Sequence, residues 1–333
     1  MRMDIKEKIF GLDTMNEAIN SGVKEGKRAA LWKNLWFEKE LTILFGETNT
    51  GKSLLAVQIA EQIAKEGRKV VYFDYEMINS QLADRYSNDE LTVTYQFSSN
   101  FIRPNLEYDR DCDYAERVER LFMRMEEAAR LGMKIFIVDN ISCLHPNLSD
   151  GEQAAKFIQK FRTYMNKLGV SLLLLGHSPK KQGNGGITID RLAGSKQIAN
   201  FIDACFCMGA VSGKPDSVYI KQLKARTGKI TLNENNVLVC DREKREDQFI
   251  VFIEIGYAEE KTLLRGGNDI TPKKEKAYQL YNEGKSYREI AKIIGCSDKT
   301  AKKWIEDYQT FNQIQNIVSE GYIEDDCNEN ENI

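Results

Sequence analysis

Histidine and closely spaced cysteine are scarce in this sequence, which limits the metal chemistry that it can support. Its 333 residues include two histidines, His145 and His177, and seven cysteines, of which only Cys205 and Cys207 lie close together. Zinc sites need closely spaced sets of such ligands, so no zinc site is expected. Scattered cysteines in an odd number are typical of a reducing compartment, which favours the cytoplasm.

The sequence also lacks a long apolar run and a large net charge. The opening residues, MRMDIKEKIF, contain no apolar segment of signal-peptide length, and no later run approaches a membrane span, so no membrane partner is expected. The net charge is −3, so any binding of nucleic acid must come from local patches. The length permits one large and one small globular domain.

The most informative stretch is a loop between a predicted strand and a predicted helix. Residues 41–53 read LTILFGETNTGKS and contain the pattern G-x-x-x-x-G-K-[ST] of phosphate-binding loops. The backbone N–H groups of such a loop point at phosphates, and the following helix adds its N-terminal partial charge. We therefore predict that ATP is bound by Gly46, Glu47, Thr48, Asn49, Thr50, Gly51, Lys52, Ser53 and Leu54.

Three side chains have separate roles in this pattern. Lys52 places a full charge at the β- and γ-phosphates, and the hydroxyl of Ser53 holds Mg²⁺. Farther along, residues 134–139 read KIFIVD, an apolar strand that ends in a carboxylate. Ligands of open α/β sheets lie beyond the carboxyl ends of the strands, so Asp139 is predicted to reach Mg²⁺ as the Walker B aspartate. A chance match to the loop pattern is the alternative, which the flanking strand and helix patterns disfavour.

Apolar runs separated by glycines predict an α/β domain in which helices and buried strands alternate. The predicted helices span 53–65, 114–131 and 154–168, and the predicted strands span 70–73, 134–139, 170–175, 204–208, 218–223, 237–240 and 249–255, of which the last few are antiparallel. The predicted divisions are a lead-in segment 1–31, an ATPase domain 32–258, a linker 259–270, a helical domain 271–310 and an acidic, disordered tail 311–333.

Two regions fit this pattern less clearly. Trp32 and Trp36 either stack on a nucleotide base, form a subunit contact or pack in the core of their own domain. Residues 87–113 contain polar runs and several aspartates, and we predict a strand over 91–97 followed by a loop.

The strand predicted over 170–175 leads into GHSPK and so brings His177 to the nucleotide edge of the sheet. A histidine there can sense the γ-phosphate by hydrogen bonding, and a structural turn histidine is the alternative. Residues 178–191 are glycine-rich and cationic, and Lys180 and Lys181 are candidates for contacts with DNA. A solvated connector is equally compatible with this composition.

The order of these motifs resembles that of RecA-like ATPases, and within them the hexameric helicases of the DnaB type and the small plasmid helicases of the RepA type. The resemblance covers roughly residues 30–256 and rests on the segments FDYEM, LLLLGHSPK, LAGSKQ and IKQLKARTG. It implies that Glu76 polarises the attacking water and that His177 belongs to the sensor strand. It also implies that Lys224 and Arg226, the latter as an arginine finger, act on the nucleotide of a neighbouring subunit.

The resemblance further implies a ring or filament, with a hexamer as the expected form and a single DNA strand passing through it. Asn49 stands where many relatives have glycine, and residues 87–113 match no part of the family pattern. The residues before the ATPase segment resemble no primase-contacting domain, so we expect an arrangement unlike that of DnaB and like that of the RepA type. No feature of the sequence demonstrates strand separation.

Residues 271–310 predict three short helices. Ser286 and Glu289 form a capping box at the start of the second helix, and Gly295 makes the turn before a third helix that begins at Ser297 or Asp298. This module resembles the helix-turn-helix of resolvases and sigma-type regulators.

One face of the third helix is cationic. Lys299, Lys302 and Lys303 follow each other at helical spacing, so they share that face and can rest against phosphates at the major groove of duplex DNA. A three-helix module for protein contacts is the alternative, because lysines on an exposed helix are often only solvated.

Taken together, the sequence predicts an α/β fold with a RecA-like P-loop core, a mostly parallel sheet flanked by helices, and a small all-α helix-turn-helix domain. The predicted function is that of a Mg²⁺-dependent ATPase acting on DNA, a ring-forming helicase or translocase of a plasmid, phage or other mobile element. The alternatives are an ATP-switched DNA-binding regulator of replication or transposition, and a recombination mediator of the RecA type. The helix-turn-helix disfavours the last, since it implies targeting of duplex DNA.

Overall fold

A computed structural model describes residues 13–109, 111–145, 150–177, 185–192, 198–264, 272–306 and 308–309. Lys180 and Lys181, residues 193–197 of the LAGSKQ segment and the acidic tail 311–333 lie outside these residues. Within the described part of the chain, no helix is both long and apolar enough to cross a membrane.

Strands of two sheets alternate with helices along the chain. The strands are β1 (Ala30–Trp32), β2 (Trp36–Phe37), β3 (Leu41–Gly46), β4 (Val70–Asp74), β5 (Phe101–Ile102), β6 (Ile135–Asp139), β7 (Ser171–His177), β8 (Ala204–Val211), β9 (Lys214–Ala225), β10 (Val237–Lys244) and β11 (Ile250–Ala258). The helices are α1 (Met15–Glu25), α2 (Lys52–Lys65), α3 (Asn79–Tyr86), α4 (Tyr114–Arg130), α5 (Gly151–Leu168), α6 (Glu260–Leu264), α7 (Pro272–Asn282), α8 (Tyr287–Ile294) and α9 (298–306).

The main sheet has the order β11-β10-β9-β8-β3-β7-β6-β4-β5 among the described residues. The strands from β8 to β5 run parallel, whereas β9, β10 and β11 are antiparallel to their neighbours. Apolar side chains fill both faces, because each central strand is buried on both sides. The predicted α/β class and the antiparallel end of the sheet are therefore confirmed.

Helices cover both faces of this sheet and close two apolar cores. On one face α4 and α5 contribute Leu121, Phe157 and Phe161 to the first core. On the other face α2 contributes Leu55 and Ile59 to the second core. The helix α6 begins inside the segment predicted as a linker, and its Leu263 is buried in the first core.

The tryptophans near the start of the domain lie in the two-stranded sheet β1–β2, whose strands pair antiparallel. Trp36 is fully buried and Trp32 nearly so, both in the second core. Of the alternatives left open by the sequence, packing in the domain's own core is the one that the structure bears out.

The strand predicted over 91–97 is wrong. Residues 88–100 form turns and loops, apart from one isolated bridge between Ser87 and Thr94, and the strand of this region is β5. The apolar and aromatic residues that produced the strand pattern pack instead as a cluster of rings, in which Tyr95 and Phe97 contact Phe249. Tertiary packing of aromatics thus imitates a strand signal here.

The C-terminal helices enclose a third apolar core of their own. It contains Ala277, Leu280, Ile290, Ala291, Ala301 and Ile305. The predicted capping box at Ser286 and Glu289 is present, and Gly295 ends α8 in the left-handed conformation. These local features explain why a short segment forms three helices with sharp turns.

An amide side chain closes the edge of the main sheet beside α2. Phe252 N donates to Gln58 Oε1 at 2.8 Å, and Gln58 Nε2 donates to Phe252 O at 3.2 Å. Gln58 therefore replaces a neighbouring strand at this point of the edge strand β11, and it satisfies two buried backbone groups.

Replacing Gln58 with leucine should lower the free energy of unfolding by about 1–3 kcal/mol, because two buried backbone groups lose their partners. The measurement is chemical denaturation followed by circular dichroism. Gln62→Leu is the matched control, since it makes the same change one turn later on the exposed face of α2. Equal stability of the two variants would contradict this role of Gln58.

Candidate nucleotide-binding site

The phosphate-binding loop connects the end of β3 at Gly46 with the start of α2 at Lys52. Gly51 has φ +87° and Asn49 has φ +67°, so the loop curls through the left-handed region twice. Asparagine is among the few side chains that tolerate this conformation. The departure from glycine at position 49 is therefore accommodated without a change in the path of the loop.

The two glycines of the motif are also required by close contacts. A Cβ atom on Gly46 would lie 2.4 Å from the carbonyl oxygen of Met208 on β8, and one on Gly51 would lie 2.7 Å from the Phe252 ring on β11. A side chain at position 46 would collide with backbone, and one at position 51 would have to displace the Phe252 ring and adopt a strained φ of +87°. The loop is thus held between the parallel part of the sheet and its antiparallel edge.

Lys52 is held against the loop from which it comes. Its side chain is buried, and Nζ donates to Glu47 O at 2.8 Å, an oxygen that also accepts from Thr50 Oγ1 at 2.9 Å. Burial lowers the pKa of Lys52, and the carboxylates of Asp139 and Glu76 act in the opposite direction. A phosphate oxygen in the loop would give the ammonium an anionic partner in a largely desolvated position.

Asp139 ends β6 and is buried. Tyr72 Oη donates to Asp139 Oδ2 at 2.6 Å, and the Ser53 hydroxyl also hydrogen-bonds to this carboxylate. Burial raises the pKa of Asp139 to about 6, although both hydrogen bonds work against this shift. The carboxylate and hydroxyl oxygens of Asp139 and Ser53 are the hard ligands that Mg²⁺ prefers, so the donor set fits this ion.

Glu76, Asn140 and His177 meet beside this pair. Asn140 Nδ2 donates to Glu76 Oε1 and lies 2.9 Å from His177 Nε2, which is 3.3 Å from Glu76 Oε1. Asn140 Oδ1 accepts from Ser142 N at 2.8 Å, which fixes the direction of the amide. The hydrogen bond with His177 is the main cause that lowers the pKa of Glu76. Glu76 is thus an oriented, ionised and partly exposed carboxylate.

A second carboxylate fixes the turn that carries Glu76. Asp74 Oδ1 accepts from Glu76 N at 3.0 Å and from Met77 N at 2.9 Å. Arg103 Nε donates to Asp74 Oδ2 at 3.1 Å, and Arg103 Nη2 donates to Met77 O at 2.7 Å. The region 87–113 therefore supports the site through Arg103, although its sequence matched no part of the family pattern.

The structure brings five of the predicted site residues together at the carboxyl edge of the sheet: Lys52, Ser53, Glu76, Asp139 and His177. Sequence reasoning missed Asn140, Tyr72, Asp74 and Arg103. Asn140 directly follows Asp139 at a strand end, which is a signal that was present in the sequence. The other three are recognisable only from contacts across the fold.

Lys224 and Arg226 lie elsewhere. Ala225 at the end of β9 is opposite Ala204 at the start of β8, so this segment is at the amino edge of the parallel strands. There Arg226 Nη1 lies 3.1 Å from Asp203 Oδ1, and Lys224 donates to Ala199 O. The two cations are therefore at the edge opposite the phosphate-binding loop of their own chain.

The candidate DNA contacts of the C-terminal helices are accessible. Lys299, Lys302 and Lys303 are all exposed on α9, and Lys302 lies 3.9 Å from Glu306. The other candidates, Lys180 and Lys181, belong to the part of the chain that is not described.

Comparison with known proteins agrees with this architecture. A sequence profile for an AAA domain matches residues 16–183, and one for a helix-turn-helix domain matches residues 273–314. None of the curated proteins matches the chain significantly.

Among solved structures, one ATPase domain has a TM-score of 0.53 at 11% identity, over 73% of this chain and 99% of that chain. A DnaB-like replicative helicase, solved in a study of its interactions with primase, has a TM-score of 0.52 at 11% identity, over 73% of this chain and 67% of that chain. The fold likeness predicted from the motifs is thereby confirmed. Because the AAA-domain profile matches half of this chain, the chain belongs to this AAA-domain family. It also carries a helix-turn-helix domain at its C-terminal end.

Proposed function

We propose that this chain is a Mg²⁺-dependent, cytoplasmic ATPase that acts on DNA as a ring-forming helicase or translocase of a plasmid, phage or other mobile element. The contact of Glu76 with Asn140 and His177 beside the phosphate-binding loop carries the proposal. An oriented carboxylate and a hydrogen-bonding imidazole beside this loop are the groups that hydrolysis of a terminal phosphate requires, which supports the proposal.

Each side chain then has a defined task in hydrolysis. Lys52 would bind the β- and γ-phosphates, and Ser53 and Asp139 would hold Mg²⁺, which would offset the negative charge of the phosphates. Glu76 accepts a hydrogen bond from the attacking water and orients it in line with the bond that breaks. His177 is close enough to Glu76 to respond when the γ-phosphate leaves, and it can pass that change to the segment that follows β7.

The position of Lys224 and Arg226 supports an assembly. At the amino edge of the sheet they are remote from the phosphate-binding loop of their own chain, so any nucleotide on which they act would belong to another copy. A cation supplied in this way stabilises charge on the transferring phosphoryl group and links hydrolysis to the arrangement of subunits. A closed ring, with a hexamer as the expected form, satisfies this geometry for every subunit.

In this proposal DNA contacts the protein in two ways. A single strand passes through the ring and contacts Lys180 and Lys181, and a duplex binds the exposed lysine face of α9. The separate apolar core of the C-terminal helices supports an independent DNA-binding module.

The same module favours a second candidate function, an ATP-switched regulator that assembles on duplex DNA without unwinding it. The steady-state ATPase rate measured alone, with single-stranded DNA and with duplex DNA separates the two. We expect several-fold stimulation by single strands for a translocating helicase, followed by unwinding of a forked duplex. Stimulation by a particular duplex alone, without unwinding, would replace the helicase with the regulator.

Substitution of Glu76 by glutamine should abolish turnover and spare binding. The amide keeps the size of the side chain but cannot accept the water proton, so kcat should fall about 10²–10⁴-fold. Phosphate release gives kcat, and titration with a fluorescent ATP analogue gives the affinity. The control is Glu119→Gln on the exposed side of α4, which should leave both values unchanged. Normal turnover in Glu76→Gln would remove Glu76 from the mechanism.

Changing Lys299, Lys302 and Lys303 together to glutamine should weaken duplex binding at every sequence. Each phosphate contact that is lost should also lower the slope of log K against log salt by about 1. The measurement is fluorescence anisotropy over a series of salt concentrations. The control removes equal charge from the same module through Lys276→Gln, Lys285→Gln and Lys292→Gln. An equal loss of duplex affinity in both variants would indicate that DNA responds to the overall charge of the module and does not bind specifically to the lysine face of α9.

A further inference from the structure

A buried carboxylate organises the amino edge of the sheet, opposite the phosphate-binding loop. Asp203 precedes β8 and is 4% exposed. Its Oδ2 accepts from Leu41 N at 3.0 Å and from Arg162 of α5. Because a backbone N–H and a guanidinium both bind this oxygen, the carboxylate has a fixed position relative to β3 and α5.

The other oxygen of this carboxylate holds Arg226. Arg226 Nη1 lies 3.1 Å from Asp203 Oδ1, and Arg226 N donates to Asp203 O at 2.8 Å. The main chain and the side chain of Arg226 are therefore both attached to the same residue. The Arg226 side chain remains 50% exposed, so its guanidinium is held in place and is still accessible from outside the chain.

Positive charge is in excess around this pair. The cations of the cluster are Arg28, Arg162, Lys224 and Arg226, and its carboxylates are Glu40 and Asp203. Arg28 is paired with Glu40 at 3.4 Å, and Arg162 shares Asp203 with Arg226. The single negative charge of Asp203 is thus shared by two guanidinium groups. It therefore neutralises Arg226 only in part, and Arg226 can still attract an incoming anion.

We propose that Asp203 is a positioning residue for Arg226, which it holds in the orientation that reaches the nucleotide of a neighbouring subunit. The inference rests on the proposed function, in which Arg226 acts in trans. A free arginine side chain samples many rotamers and loses this conformational entropy when it binds a phosphate. A fixed carboxylate that already restricts the rotamers reduces the entropy lost at that step. Such positioning matters because a displacement of about 1 Å at a reacting centre can cost about 10²-fold in rate.

The test is a double-mutant cycle on kcat, with Asp203→Asn, Arg226→Ala and the combined variant of the full-length chain. Asp203→Asn keeps an oxygen for Leu41 N but loses the charge that holds Arg226. We expect kcat to fall about 10–100-fold, with unchanged affinity for a fluorescent ATP analogue. In the Arg226→Ala background the same change should lower kcat less than about 3-fold, because its target is already gone. Single-turnover hydrolysis of radiolabelled ATP makes the slow rates measurable.

Other outcomes overturn the inference, each in a distinct way. Equal losses with and without Arg226 would assign Asp203 to the stability of β3, and wild-type activity of Asp203→Asn would remove it from catalysis. Full activity of Arg226→Ala would instead refute the action of Arg226 in trans, and with it the basis of the inference. If Asp203→Asn does not fold, Asp203→Glu replaces it in the same cycle, since it keeps the buried charge and displaces the carboxylate by one methylene.

Discussion

The register of the parallel strands is the constraint on which the candidate site depends. Gly46 at the end of β3 is opposite His177 at the end of β7, and Asp74 at the end of β4 is opposite Asp139 at the end of β6. Side chains alternate between the faces of a strand, so a shift of one residue in either pair would turn a functional group away from the site. The loops do not need to find the correct geometry by themselves, because the backbone ladder delivers their first residues to the same edge of the sheet.

Burial of charge at this edge is tolerated because the groups satisfy one another. Lys52 hydrogen-bonds to Glu47 O, Asp139 accepts from Tyr72, and Asn140 connects Glu76 with His177. A buried charge without such partners would cost several kcal/mol. Lys52 and Asp139 each lose part of their preference for the charged form through burial, and a bound nucleotide with its cation would restore it. The side chains of the site are therefore already arranged, and binding of a nucleotide with its cation would exchange internal partners for phosphate and metal rather than create new order.

The sequence was sufficient to predict the parts of the fold that depend on short-range signals. Apolar runs that end in Gly46 and Asp139 predicted the strands and their functional ends, and the S-x-x-E pattern predicted the capping box of α8. It was misleading at 91–97, where aromatic residues contact Phe249, which precedes the distant strand β11. Contacts between segments so far apart in the chain leave no periodic pattern in the local sequence. Asn140 and Glu76 are 64 positions apart, and Gln58 and Phe252 are 194 apart, so their hydrogen bonds follow from the topology alone. Support of a site by residues such as Arg103 is invisible in a single sequence for the same reason.

One strand joins the two edges that an assembly would bring together. β3 begins at Leu41, whose N–H is bound by Asp203, and ends at Gly46, where the phosphate-binding loop starts. All of its residues are buried, and at about 3.3 Å per residue its length is roughly 20 Å. A strand fixed at both ends and packed on both faces does not bend locally, since protein interiors transmit strain rather than absorb it. In the proposed assembly, the phosphate-binding loop follows one end of this strand and Arg226 is held through Asp203 at the other, so a displacement of one end would be passed to the other.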